Sequence, residues 1–201
     1  MGYFIFSYGI SFDQLNNLLG SRDDKLLKSV QQTETYQKYL RLDLPADLGT
    51  EKALKQLIAG DTLDARYAPS YWNALITLID YQGRRLGNGP GIALNYETDL
   101  INQILQEDYN LDIEIEEVLL NGKLELGLPL PNEWPLSGIL FKEDLLALQR
   151  ELVNVQISRE HILSISEEDE EEAGIYDGID ALKRNVAFCL ENGVALVSFC
   201  Y

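Results

Sequence analysis

Apolar runs mark the two ends of the chain. YFIFSYGI, residues 3–10, combines aromatic and β-branched residues and is bounded by glycines, which is typical of a buried strand. VALVSFCY, residues 194–201, has the same character. We therefore predict two mostly buried strands, one at each end of the chain, that lie in one small sheet.

Between these strands, apolar residues recur at the three- and four-residue intervals of amphipathic helices. Ser11 is a suitable N-cap for the first of them, and Ser21 stands three residues before Asp24, in capping-box spacing for the second. Gly20 and Gly60 are suitable stops. The predicted helices span residues 12–19, 22–41, 51–59, 69–85, 96–107, 142–155 and 175–191.

The helix that follows Pro69 is the most apolar of these, and its apolar residues cover more than one stripe. A helix of this kind packs on several sides, so we expect it at the centre of the core. The glycine-rich LGNGPG, residues 86–91, lacks the GxxxxGK[ST] pattern of a phosphate loop and is interpreted as a plain turn.

Two segments are less regular. LDIEIEEVLLNG, residues 111–122, alternates apolar and acidic positions and favours a strand, although the pattern is ambiguous between strand and helix. LELGLPLPNEWPLSGIL, residues 124–140, is rich in proline and glycine and is interpreted as an extended connector. Its Trp134 either fills the core or anchors a partner protein.

These elements predict an α+β fold: one helix-rich domain over residues 1–201, with a small sheet that includes the N-terminal and C-terminal strands. The segments EKALKQLIAGDTLDARY, YWNALITLIDYQGRRLGN, LPLPNEWPLSGIL and VALVSFCY, in this order, resemble an uncharacterised bacterial family of about 200 residues. That family is a domain of unknown function, common in genomes rich in toxin and immunity genes. The resemblance implies the architecture and supplies no catalytic residues.

The composition is that of a globular protein, because 46% of the 201 residues are apolar and 24% are charged. The longest apolar runs are far shorter than the roughly 20 residues needed to span a bilayer, and no signal-peptide pattern opens the chain. Its two cysteines, Cys189 and Cys200, make no disulfide framework. We expect a cytoplasmic protein without a membrane partner. The residues do not indicate an oligomeric state.

The net charge of −17 is concentrated in one half of the chain. Residues 1–100 contain 12 acids and 10 bases, whereas residues 101–201 contain 21 acids and 6 bases. Such a surface repels phosphate backbones, so no nucleic-acid partner is expected. A basic protein would be attracted instead. In the alternative interpretation, the acidity only keeps the protein soluble.

The densest acidic run, SEEDEEEAGIYDGID, has eight carboxylates in residues 166–180. Ser166 stands three residues before Asp169, in capping-box spacing, and acids in the first turn of a helix are favoured by its dipole. The acidic segment of residues 164–174 either frays in water as a solvated helix end or faces a basic partner. The candidate partner-binding residues are Glu167, Glu168, Asp169, Glu170, Glu171, Glu172 and Trp134.

The sequence gives little support for a common type of catalytic or metal site. His161 is the sole histidine and lies in SREHILSIS, which has no nucleophile motif. One histidine and two cysteines are one ligand short of a closed zinc site, and the acidic run has no calcium-loop pattern, so no metal and no cofactor are expected. The sequence therefore favours a non-enzymatic interaction protein, immunity-like or regulatory, that covers a basic partner. The alternative is a small hydrolase with a pair of carboxylates that the sequence does not locate.

Overall fold

The computed structural model of the chain describes residues 3–42, 48–87, 91–121, 124–131, 135–166 and 169–200. Its strands are β1 (Phe4–Ile10), β2 (Arg84–Leu86), β3 (Ile92–Ala93), β4 (Leu136–Leu140) and β5 (Ala195–Cys200). Its helices are α1 (Phe12–Leu18), α2 (Asp24–Val30), α3 (Glu34–Leu42), α4 (Thr50–Ala59), α5 (Ala68–Gln82), α6 (Glu97–Tyr109), α7 (Ile115–Leu120), α8 (Lys142–Glu151), α9 (Arg159–Ser166) and α10 (Glu170–Asn192). Short 3₁₀ turns at Ala65–Tyr67 and Leu152–Asn154 precede α5 and follow α8. The fold is α+β and rich in helix, as predicted.

The sheet joins the two ends of the chain. Its strand order is β2-β1-β5-β4, and β3 pairs antiparallel with β1, with Phe4 opposite Ala93 and Ile5 opposite Ile92. Every residue of β5 is buried. The prediction that the N-terminal and C-terminal strands share a small sheet is therefore confirmed.

The chain forms two compact units. One unit consists of Met1–Gly9, Leu86–Lys123 and Ser137–Tyr201. Within it, α10 packs against α6, α8, α9 and β5. Ile179, Val186 and Cys189 form much of the buried face of α10, and they recur at helical spacing because an apolar stripe must face the rest of the core.

The other unit consists of Ile10–Arg85 and Leu124–Leu136. Here α5 packs against α1, α2, α3 and α4, and its Leu75, Ile76 and Leu78 are fully buried. The indole Nε1 of Trp72 donates a hydrogen bond to the carbonyl of Pro129 at 2.8 Å. The helix expected at the centre of the core is thus the centre of this unit. The single domain over residues 1–201 stays a prediction.

Several predicted element boundaries were wrong. The helix predicted over 22–41 is interrupted after Val30, because the Thr33 hydroxyl accepts a hydrogen bond from the backbone N–H of Tyr36 and starts α3 separately. The N-cap of α2 is Asp23, whose carboxylate accepts from two backbone N–H groups, and not Ser21. By contrast, Ser11 caps α1 as predicted.

The structure also defines the two less regular segments. The end of the extended connector forms β4, and the ambiguous segment contains the short helix α7. The helix predicted over 69–85 ends at Gln82, and the chain enters β2 at Arg84. Helix α9 was not predicted, and α10 begins at Glu170 rather than near residue 175. Among the described residues, no helix combines the length and apolar character needed to cross a bilayer.

Candidate partner-binding surface

The predicted acidic residues open helix α10. Asp169 is its N-cap, and the Oδ1 atom of Asp169 accepts hydrogen bonds from the backbone N–H groups of Glu171 and Glu172, each at 3.0 Å. The cap is therefore Asp169 and not Ser166, which ends α9. Carboxylates at this position are stabilised because they satisfy free N–H groups and complement the positive end of the helix dipole.

Glu171 is hydrogen-bonded to the residue that precedes another helix. The phenol of Tyr96, which precedes α6, donates a hydrogen bond to Oε1 of Glu171. This hydrogen bond raises the pKa of Tyr96, and burial and the charges of Glu171, Asp169 and Glu97 raise it further. The Tyr96 side chain is half exposed. A half-exposed phenol thus lies among carboxylates from the first turns of two helices.

A second tyrosine links the same two helices. The hydroxyl of Tyr176, in the second turn of α10, donates to Oδ2 of Asp108 at 3.3 Å. Burial is the main cause of its raised pKa, followed by the charge and hydrogen bond of Asp108 and the charge of Glu172. The exposed ring of His161 lies edge-on to the Tyr176 ring, with centroids 5.1 Å apart. We call Asp108, Asp169, Glu170, Glu171 and Glu172, together with Tyr96, the acidic surface.

The acids of the acidic surface differ in ion pairing from the next acids along α10. Asp177 and Asp180 both pair with Arg184, at 3.4 Å and 3.0 Å. Within the described part of the chain, residues 169–172 make no ion pair, and all four are exposed. Their mutual repulsion is therefore left uncompensated at close range. A cationic partner would relieve it.

The structure brings together four of the seven candidate binding residues, Asp169 to Glu172. Glu167, Glu168 and Trp134 lie outside the described residues. Sequence reasoning missed Tyr96, Asp108 and Tyr176. No local pattern connects them with the acidic run, since Tyr96 and Glu171 are 75 residues apart.

The remaining polar chemistry is sparse. Among the described residues, no group of three or more histidine, cysteine, aspartate or glutamate side chains has a metal-binding arrangement. Both cysteines are free and buried, and burial raises the pKa of Cys189 to about 12 and that of Cys200 to about 11. Such thiols are protonated at neutral pH and are poor nucleophiles. The absence of a cofactor stays a prediction.

The whole chain, residues 1–201, matches the model of a family described as "Domain of unknown function (DUF7691)". The chain belongs to this family. The resemblance to a domain of unknown function is thereby confirmed for DUF7691, whereas its bacterial origin stays a prediction. No curated protein and no solved structure matches the chain. The DUF7691 match assigns no residue to an activity.

Proposed function

We propose that this protein is a non-enzymatic interaction protein, immunity-like or regulatory, that binds a basic partner protein through the acidic surface. The observation that carries the proposal is the hydrogen bond from Tyr96 to Glu171, which joins the start of α6 to the start of α10. A solvated helix end would need no such contact. Here the carboxylates are presented on two packed helices beside a half-exposed phenol.

The chemistry of this surface favours a cationic protein over other partners. Tyrosine is enriched among the residues that dominate binding energy at protein interfaces, because its ring buries a large area and its hydroxyl forms a hydrogen bond. Unpaired carboxylates around it would attract lysine and arginine side chains and speed the encounter. The 15 excess acids of residues 101–201 would repel nucleic acid and anionic lipid.

We also propose that the protein is cytoplasmic. It is supported by the two free thiols, Cys189 and Cys200, which suit a reducing compartment. The alternative function, a small hydrolase with paired carboxylates, stays a prediction, and a panel of hydrolase assays on the full chain tests it.

A pull-down with the products of neighbouring genes would supply the partner, and stopped-flow association over a salt series would then test the surface. The test variant replaces Glu170, Glu171 and Glu172 with glutamine. We expect a slower on-rate and a weaker salt dependence, because electrostatic steering is screened over about 8 Å at physiological ionic strength. The matched control makes the same change at three exposed acids elsewhere: Glu143, Glu151 and Glu191.

Two further variants separate charge from structure. Tyr96→Phe removes the hydrogen bond to Glu171 without changing the charge, and we expect it to weaken binding a few-fold by increasing dissociation. Asp169→Asn removes one charge and retains a good N-cap, so it should slow association and leave thermal stability unchanged. Equal rates and equal salt slopes for the triple variant and its control would show that the carboxylates are only a solvated helix end.

A further inference from the structure

A groove of about 470 Å³ lies between the end of α8 and the middle of α10, and the residues that line it are not those that define the acidic surface. This volume falls within the range of small-molecule sites, about 300 to 1,000 Å³. Leu152 and Val186, which are almost fully buried, line it together with Val153, which is 64% exposed. An exposed valine beside buried apolar side chains provides a surface for an alkyl group.

The same groove concentrates positive charge in an acidic chain. Arg150, Lys183 and Arg184 line it, and they are three of the six bases in residues 101–201. Asp180, the one acid among the described residues that line the groove, is paired with Arg184. The charges of Arg150 and Lys183 are therefore not balanced by a carboxylate in the groove.

Lys183 is the most informative of these bases. Lys183 is half-buried, and its ammonium donates a hydrogen bond to the backbone carbonyl of Val155. That bond orients the ammonium but leaves two of its three donors and its charge available. Within the described residues neither Lys183 nor Arg150 forms an ion pair, and an unpaired charge is costly for the half-buried Lys183.

We propose that this groove binds a small amphipathic carboxylate. Its carboxylate pairs with Lys183 and Arg150, and its alkyl part lies on Leu152, Val153 and Val186. A large polyanion would meet the excess negative charge of residues 101–201, whereas a small monoanion lies close to two cations and is screened from acids more than about 8 Å away. The site is independent of the acidic surface.

Isothermal titration of the full chain with decanoate, below its aggregation concentration, tests this site. Decanol and decyltrimethylammonium are the matched probes, with an alkyl chain of nearly the same length and no charge or the opposite charge. We expect decanoate to bind with a submillimolar dissociation constant and the two other probes at least about tenfold more weakly, since a charge-assisted hydrogen bond is worth about one tenfold step in affinity.

Substitutions at two exposed positions and at the half-buried Lys183 locate the ligand. Arg150→Gln and Val153→Gln should each weaken decanoate binding about fivefold, and Lys183→Met should weaken it more, because Lys183 is the less exposed cation. Arg159→Gln is the matched control, because Arg159 is an exposed base in α9 that does not line the groove. Replacing Glu170, Glu171 and Glu172 with glutamine should leave decanoate binding intact, which separates this site from the proposed function.

Five results would overturn the proposal. The first three are that decanoate gives no binding heat, that decanol binds as tightly as decanoate, and that Arg150→Gln behaves like Arg159→Gln. The fourth is displacement of decanoate by a hexaglutamate peptide that binds more tightly, which would assign the groove to an acidic protein segment. The fifth is loss of a dimer in Arg150→Gln, measured by light scattering, which would assign the groove to a second copy of the chain.

Discussion

The hydroxyl oxygens of Ser7 and Ser198 lie 2.7 Å apart, in strands from opposite ends of the chain. Both side chains are buried, with 8% and 0% of their surface exposed, so each hydroxyl uses the other as its hydrogen-bond partner in an otherwise apolar region. A buried polar group is tolerated only when it is paired. The pair therefore helps to fix β1 beside β5 in one register.

A double-mutant cycle at this pair should show strong coupling. Ser7→Ala and Ser198→Ala should each destabilise the fold by about 1 to 3 kcal/mol, because each leaves a buried hydroxyl without its partner. The double variant should cost less than the sum of the two, since it leaves no orphaned group. Urea unfolding of the four proteins measures this, and additive costs would show that the hydroxyls do not depend on each other.

Loss of β5 should prevent folding. Truncation of residues 194–201 removes a strand in which all described residues are buried, and exposes the edges of β1 and β4 to solvent. A milder test is Val197→Asp, which places a carboxylate at a fully buried position and should cost more than about 3 kcal/mol. Val153→Asp, at a 64% exposed position, is the control. A truncated chain with an unchanged melting curve would contradict the central place of β5.

Most of the fold could be predicted because its strongest signals are local. The terminal strands carry dense runs of β-branched and aromatic residues. Ser11 caps the N-terminus of α1 and Gly60 caps the C-terminus of α4, as expected. There is also a physical reason why the sequence did not predict some of the elements. Strands β2 and β3 have three and two residues, too few to show an alternating pattern, and they form because β1 offers an edge to pair with.

The candidate site could be predicted only in part. The acids of residues 169–172 are visible as a run, and their helical position follows from capping and the helix dipole. The contact of Glu171 with Tyr96 and that of Tyr176 with Asp108 are tertiary, and local spacing does not predict them. The groove beside α10 was missed for the same reason, since Arg150 and Lys183 look like ordinary surface bases in the sequence.

The buried thiols should be unreactive in the native protein. Burial raises the pKa of Cys189 to about 12 and of Cys200 to about 11, above the ordinary value of about 8.5, so the thiolate is scarce at neutral pH. Ellman's reagent should label neither residue until the chain is unfolded in urea, where two thiols should react at once. Rapid labelling of the folded chain would contradict the burial of these side chains.

The same shifts predict the direction of a pH effect on stability. Because the folded-state pKa values are raised, the folded chain binds more protons than the unfolded chain between about pH 8.5 and the folded values. The contribution of these thiols to the free energy of unfolding is complete below about pH 8.5. It is lost as the pH rises through 11 and 12. Cys189→Ala and Cys200→Ala, compared with the parent chain by thermal melting from pH 7 to pH 10, should show a smaller fall in stability.

Two glycines should respond to alanine with opposite signs. Gly60 ends α4 with a φ of +73°, and an added Cβ would lie 2.9 Å from the Cα of Gly20. Gly60→Ala should therefore destabilise the fold by at least about 1 to 2 kcal/mol, the cost of the left-handed conformation alone.

Gly174 lies inside α10, on its exposed side, and an added Cβ there would meet nothing within 4 Å. Gly174→Ala should raise the free energy of unfolding by about 0.5 to 1 kcal/mol, because alanine loses less backbone entropy in a helix. Urea midpoints of both variants decide the signs, and a destabilising Gly174→Ala would indicate that this turn of α10 is not helical in solution.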